Sequence, residues 1–200
     1  MILSRTGNNE LLLSFVQGAT GAGAVIGGLI LVRTGGLKRR VNGVIWGWFF
    51  GTLFGMVLFG LGRTLLVWLV VEFIAALFNV YINASNQSIW QAKVPPDVQG
   101  RVFSARRMIA QVVGPLGILL AGPLADRLFE PAMREGGSLV DTFGGLVGVG
   151  PGAGMALLMV ICGVLVMIVA VVACRISVIR DAEDILPDHD VAVAVEAVAT

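Results

Sequence analysis

Two hundred residues would fill one or two ordinary globular domains, yet 56% of these are hydrophobic, 14% are charged and the mean hydropathy is +0.89. Soluble proteins carry about a quarter charged residues, so the composition excludes a water-soluble globular surface. A net charge of +1 gives no basic face for nucleic acid, and Cys162, Cys174 and His189 are too few for a disulfide framework or a metal set.

Residues 1–10 are polar and lack the basic-then-apolar order of a signal peptide; they read as a stub outside the bilayer. About 20 apolar residues in a helix cross about 30 Å of hydrocarbon. Five stretches meet that requirement, at 11–32, 41–61, 64–90, 108–129 and 154–174. None alternates with a period of two as a barrel strand does, so an all-α membrane protein of about five spanning helices is expected.

Lys and Arg placement sets the orientation. Ten cations lie in the first and third connections and after the last span: Arg33, Lys38, Arg39, Arg40, Lys93, Arg101, Arg106, Arg107, Arg175 and Arg180. Only four, Arg5, Arg63, Arg127 and Arg134, lie on the other side. The N-terminus is therefore expected outside and the C-terminus in the cytoplasm. An odd number of spans entering from outside suits a chain whose preceding helices are missing.

In the first span Gly18, Gly21, Gly23, Gly27 and Gly28 sit among alanines, and in the second Gly43, Gly47, Gly51 and Gly55 recur every fourth residue. Such faces admit close helix approach. The third span carries the chemistry. Glu72, Asn79, Asn83, Asn86, Gln87 and Trp90 fall within about 100° of arc, a single polar stripe on an apolar helix.

Glu72 lies about 12 Å along the helix from Thr64, near the midplane. A central carboxylate facing lipid costs about 2.5 kcal/mol or more, so the stripe is expected to face protein or water. Two readings of Glu72 stand side by side: a proton-titrating or cation-contacting group in a transport cavity, or a carboxyl hydrogen-bonded between helices. Gln17 and Gln111 are candidates to face the same cavity.

In the fourth span, Gly114 with Pro115 and Gly122 with Pro123 predict interruptions or kinks, because proline lacks an N–H. The loop 131–152 is Gly-rich and reads as irregular, with a short interfacial helix near 129–134. Residues 177–200 open with Asp181, Glu183, Asp184, Asp188 and Asp190, end in an Ala/Val repeat, and read as a flexible tail. No triad, phosphate loop or HExxH pattern is present, so an enzyme is not expected.

Several segments together resemble the C-terminal half of a major facilitator superfamily exporter, in the branch of bacterial macrolide-efflux and siderophore-export proteins. They are SRTGNNELLL (4–13), GGLKRR (35–40), WQAKVPPDVQGRVFSARRMIAQ (90–111), GPLADRLFEPAM (122–133) and GVGPGAGMALL (148–158). The resemblance implies helices eight to twelve of a twelve-helix fold, an incomplete C-terminal six-helix bundle in the bacterial inner membrane. It implies export of a hydrophobic or amphipathic small molecule, driven by the proton gradient without a cofactor.

The superfamily's GxxxDRxG loop motif with its basic residues maps onto Gly28, Arg33, Gly35, Lys38, Arg39 and Arg40, with Val32 at the acidic position. Alternating access requires one bundle to rock against another. The N-terminal transporter half, or another membrane chain, is thus an expected partner beside the lipid bilayer and the substrate. The alternatives are a truncated, non-transporting chain that acts as an interaction or assembly partner, and a small oligomeric channel.

Overall fold

A computed structural model describes residues 1–36, 39–185, 188 and 189, without the Asp184 side chain. Among them every regular element is helical. The helices are α1 (Ile2–Arg5), α2 (Glu10–Thr34), α3 (Arg40–Leu61), α4 (Leu65–Lys93), α5 (Gln99–Ala132), α6 (Val140–Val147), α7 (Ala153–Arg175), α8 (Ser177–Arg180) and α9 (Ala182–Ile185). Five of them, α2, α3, α4, α5 and α7, are long and apolar enough to cross a membrane. This is an all-α membrane protein.

Central in the bundle is α4, with α2 against one side and α3 against another; α7 packs on the far side of α3. Glycine makes these approaches close. A Cβ on Gly47 would lie 2.6 Å from Ile82 Cγ1, one on Gly51 3.3 Å from Ile82 Cδ1 and one on Gly55 3.2 Å from Ala75 Cβ. On α2, Gly23 abuts the Phe73 carbonyl and Gly27 lies against Leu77, whereas Gly18, Gly21 and Gly28 face open space. Gly43 is buried near the start of α3. Where α3 crosses α7, a Cβ on Gly163 would stand 2.7 Å from Val57.

Backbone geometry ends α2 at Gly35, whose left-handed φ of 69° lets its N–H return to the Leu31 carbonyl at 2.9 Å. Two helices change pitch within the span: α3 loosens to a π-helix over Leu53–Leu58, and α5 over Leu124–Phe129. In α5 the break expected at Gly114 and Pro115 is not found, and the helix runs unbroken over Gln99–Pro123. One missing N–H costs a single bond of the ladder there; the change of pitch follows Pro123 instead.

The N-terminal stub, the Gly-rich loop read as irregular and the start of the tail read as flexible all contain helix among the described residues. The stub is α1, with Ile2 buried beside Val16, Phe59 and Trp68. Arg5 donates to the carbonyls of Gly62 (2.8 Å) and Val147 (2.5 Å), tying two loops together. Burial lowers the pKa of its guanidinium; the charge of Arg63 adds to that and Glu130 opposes it.

The Gly-rich loop contains α6, and its Met133 and Val147 are fully buried against Ala156 and Leu157 of α7. A Gly-rich composition hid two apolar anchors. At this end α7 has no side-chain cap of its own, and Glu130 supplies one. Its carboxylate accepts from the backbone N–H groups of Gly152 (2.5 Å), Gly154 (3.1 Å) and Met155 (3.4 Å), placing negative charge at the positive end of the helix.

At the opposite end the expected flexible tail begins as α8 and α9, which fold back on the start of α3. Glu183 accepts the Arg40 backbone N–H at 2.9 Å, and Asp188 lies 3.5 Å from both Arg40 and Lys93. Asp181 lies 3.9 Å from Arg39 and bonds Arg180 at 2.9 Å. Ion pairs tie this stretch to the start of α3 and the end of α4, and Ala182 packs against the Val41, Ile45 and Ala170 cluster. Asp190 and the Ala/Val repeat lie outside the described residues.

The Arg180 hydrogen bond holds the Asp181 carboxyl below its ordinary pKa, so any stability from this contact is present above that pKa and lost as pH falls through the lowered value. Both groups are solvated, and exposed ion pairs contribute little. Asp181→Ala is accordingly expected to leave the thermal midpoint in detergent unchanged; a clear fall would mean that the segment supports the bundle.

Candidate functional site

The polar stripe of α4 forms the floor of a groove between α2 and α3. Thr20 and Ala24 line it from α2, and Trp48, Gly51, Thr52, Gly55 and Met56 from α3. From α4 come Glu72, Asn79, Asn83 and Asn86, with alanine and aliphatic side chains between them. The cavity volume is about 720 Å³, within the range of small-molecule sites. From Glu72 to Asn86 the floor runs about 21 Å, most of the way across a bilayer.

The groove is shaped by glycines in its walls. The glycines of α2 and α3 bring both helices onto α4 on either side of the stripe, and the stripe's longer polar residues lie in the gap. The π-helical segment of α3 includes Gly55 and Met56. Both line the cavity that Glu72 also lines, at the kind of pitch irregularity that recurs at functional sites.

Glu72 is half-buried. Its Oε2 lies 3.3 Å from the Thr20 hydroxyl, which also lies 3.1 Å from the Val16 carbonyl. One hydroxyl proton serves one acceptor well at a time, so Glu72 is lightly held and keeps acceptor capacity toward the cavity. The Asn83 amide donates to the Asn79 carbonyl (2.8 Å) and to its Oδ1 (2.6 Å), which orients the pair along the helix. Asn79 and Asn83 are exposed to the groove.

Gln87 belongs to the stripe, and Gln17 and Gln111 are expected to face the same cavity; none of the three lines it. Gln87 lines a different cleft, between α4 and α5. Gln17 lies one turn before Thr20 on α2 and is exposed outside the lining. Gln111 is exposed on a stretch of α5 that contributes nothing to the groove. A helical projection of α4 gives its face but not which neighbours border it, and this separates Gln17 and Gln111 from Glu72.

Thr20, Trp48 and Thr52 were missed. Thr20 is a lone hydroxyl in an Ala/Gly run, and Thr52 follows Gly51 in the glycine repeat; a polar residue beside a small-faced stripe was the available signal.

The loop-motif residues gather at the basic end without forming one site. Gly28 is half-buried within α2, Arg33 is exposed in its last turn and Gly35 caps it. Arg39 and Arg40 begin α3 and meet the acidic residues of the folded-back segment. Lys38 lies outside the described residues. Both cysteines are half-buried and free, Cys174 against the Val41, Ile45 and Ala170 cluster. Among the described residues no group of His, Cys, Asp and Glu is arranged to hold a metal ion. Compared with known proteins, this chain matches no family model, no curated protein and no solved structure.

Proposed function

We propose that this chain is part of a secondary active transporter of the major facilitator type, with its five spans serving as helices eight to twelve. In this reading it exports a hydrophobic or amphipathic small molecule across the bacterial inner membrane at the expense of the proton gradient. Its N-terminus faces outside and the basic end faces the cytoplasm. A second bundle, from an N-terminal half or another chain, supplies the other wall for alternating access.

One observation carries the proposal: a lightly held carboxylate, Glu72, inside a membrane span and opening on a long groove lined by amides and by Trp48 and Met56. A carboxylate at that depth is costly unless it is used, and intramembrane ionisable groups mark ion and substrate paths. The polar floor with apolar walls suits an amphipathic solute. A second reading, an assembly partner that does not transport, is favoured by α5. This helix exposes Met108, Val112, Leu116, Leu119 and Leu120 and leaves Gly114 and Gly117 open, surfaces another membrane chain would cover.

The test is proton-driven uptake of a cationic amphipathic dye into inverted vesicles of the native membrane. Glu72→Gln is expected to reduce uptake at least about a hundredfold, the lower end of the scale for losing one proton-transfer group, with Glu72→Asp retaining part of it. Uptake that is equal with Glu72→Gln but lost on deletion of the chain would overturn the role of Glu72. Uptake unchanged by deletion would overturn transport and favour the assembly reading.

A further inference from the structure

We propose that the cleft between the last third of α4 and the first turns of α5 binds a phosphate group, carried by an anionic lipid headgroup or by a soluble phosphate ester. This inference is independent of transport. The cleft is about 460 Å³ and is lined by Gln87, Phe103, Ser104, Arg106, Arg107 and Ala110. Two arginines adjacent in sequence, a serine and a glutamine therefore line one space.

Arg106 is held in place from behind. Its guanidinium carbon lies 4.5 Å from the Trp90 ring centroid, and one of its N–H groups reaches Asn86 Oδ1 at 3.4 Å. A planar fork stacked on an aromatic face loses little further freedom on binding, and its remaining donors match the spacing of phosphate oxygens. Gln99 bonds the carbonyls of Gln91 (3.1 Å) and Val94 (2.9 Å), fixing the turn that joins the two walls.

Charge points to an anion. At this end of the bundle Asp181 pairs with Arg39 and Arg180, Asp188 with Arg40 and Lys93, and Glu183 accepts the Arg40 backbone N–H. Among the described residues no carboxylate lies within ion-pair distance of Arg106 or Arg107, and none lines the cleft. Two neighbouring like charges beside an apolar span call for a counter-anion. Depth selects its chemistry: Arg106 lies about 10 Å along α5 from Gln99 and Gln87 about 9 Å along α4 from Lys93. That is the interfacial layer, where phosphates of lipids reside and soluble esters reach from the aqueous side.

Native mass spectrometry of the full chain in mild detergent, offered phosphatidylglycerol or phosphatidylcholine, tests this. Wild-type protein is expected to retain phosphatidylglycerol about thirtyfold more than the Arg106→Gln/Arg107→Gln variant does, a loss typical of two interfacial cations. Ser104→Asp, which leaves both guanidiniums but adds a carboxylate, is expected to lose it as well. Trp90→Phe should keep it better than Trp90→Leu. Displacement by millimolar inorganic phosphate would assign the site to soluble phosphates, and resistance to it would assign the lipid. Equal retention by wild type and the Arg106/Arg107 variant overturns the proposal. So does equal loss in an Arg101→Gln/Arg175→Gln control, which would show only diffuse charge.

Discussion

Glu130→Ala is expected to destabilise the bundle by about 3 kcal/mol, because three backbone N–H groups at the start of α7 lose a charged acceptor and are left partly buried. For a chain of this length that corresponds to a fall of roughly 6–12 °C in the thermal midpoint. The damage should spread, since Met133, Val147 and Leu157 pack where α7 meets the loop. Glu130→Gln, which keeps an acceptor oxygen but loses the charge and the second oxygen, should recover about half. Circular dichroism melts in mild detergent check this, and a Glu130→Ala protein melting with the wild type would show that water replaces the cap.

The second large effect separates glycines that differ by two positions on one helix. Gly23→Leu is expected to cost about 3 kcal/mol or more, because its Cβ would run into the Phe73 carbonyl and Ala76, neither of which can swing aside. Gly21→Leu should be neutral or slightly stabilising, since that site faces open space and glycine is the weaker helix former. On α3 the same contrast makes Gly47→Leu severe. Here Ile82 offers a side chain that can partly adjust, so the cost should fall somewhat below that at Gly23. If Gly21→Leu and Gly23→Leu melted alike, the close α2–α4 approach that shapes the groove would be wrong.

Much of this was legible in the chain. Apolar run length marks the five spans, and the 100° projection puts Glu72, Asn79 and Asn83 on one face; the groove then follows from which helices carry glycine toward it. Other features depend on partners distant in sequence. Glu130 caps a helix whose first residues lie more than twenty positions away, and nothing local to either segment announces the pairing. Met133 and Val147 were hidden in a glycine-rich loop because burial there comes from tertiary contact with α7, not from periodicity. Asp181, Glu183 and Asp188 carry the sign complementary to Arg39, Arg40 and Lys93, so charge was the available clue to their contacts. Gln111 shows the opposite error, a polar residue on a kinked-looking helix that takes no part in the groove.

If the groove between α2, α3 and α4 serves as a transport path, water reaches Glu72 along it. The most direct test is thiol labelling in intact membranes. In a chain with Cys162 and Cys174 changed to Ser, cysteine is placed at Asn79 or Asn83, at the exposed loop residue Asp97 and at the exposed apolar residue Val70. A hydrophilic maleimide is expected to modify Asn79→Cys and Asn83→Cys at rates nearer to Asp97→Cys than to Val70→Cys. Labelling at Asp97→Cys alone, with the two groove positions as inert as Val70→Cys, would mean that the stripe is sealed between helices and that Glu72 is a packing carboxyl.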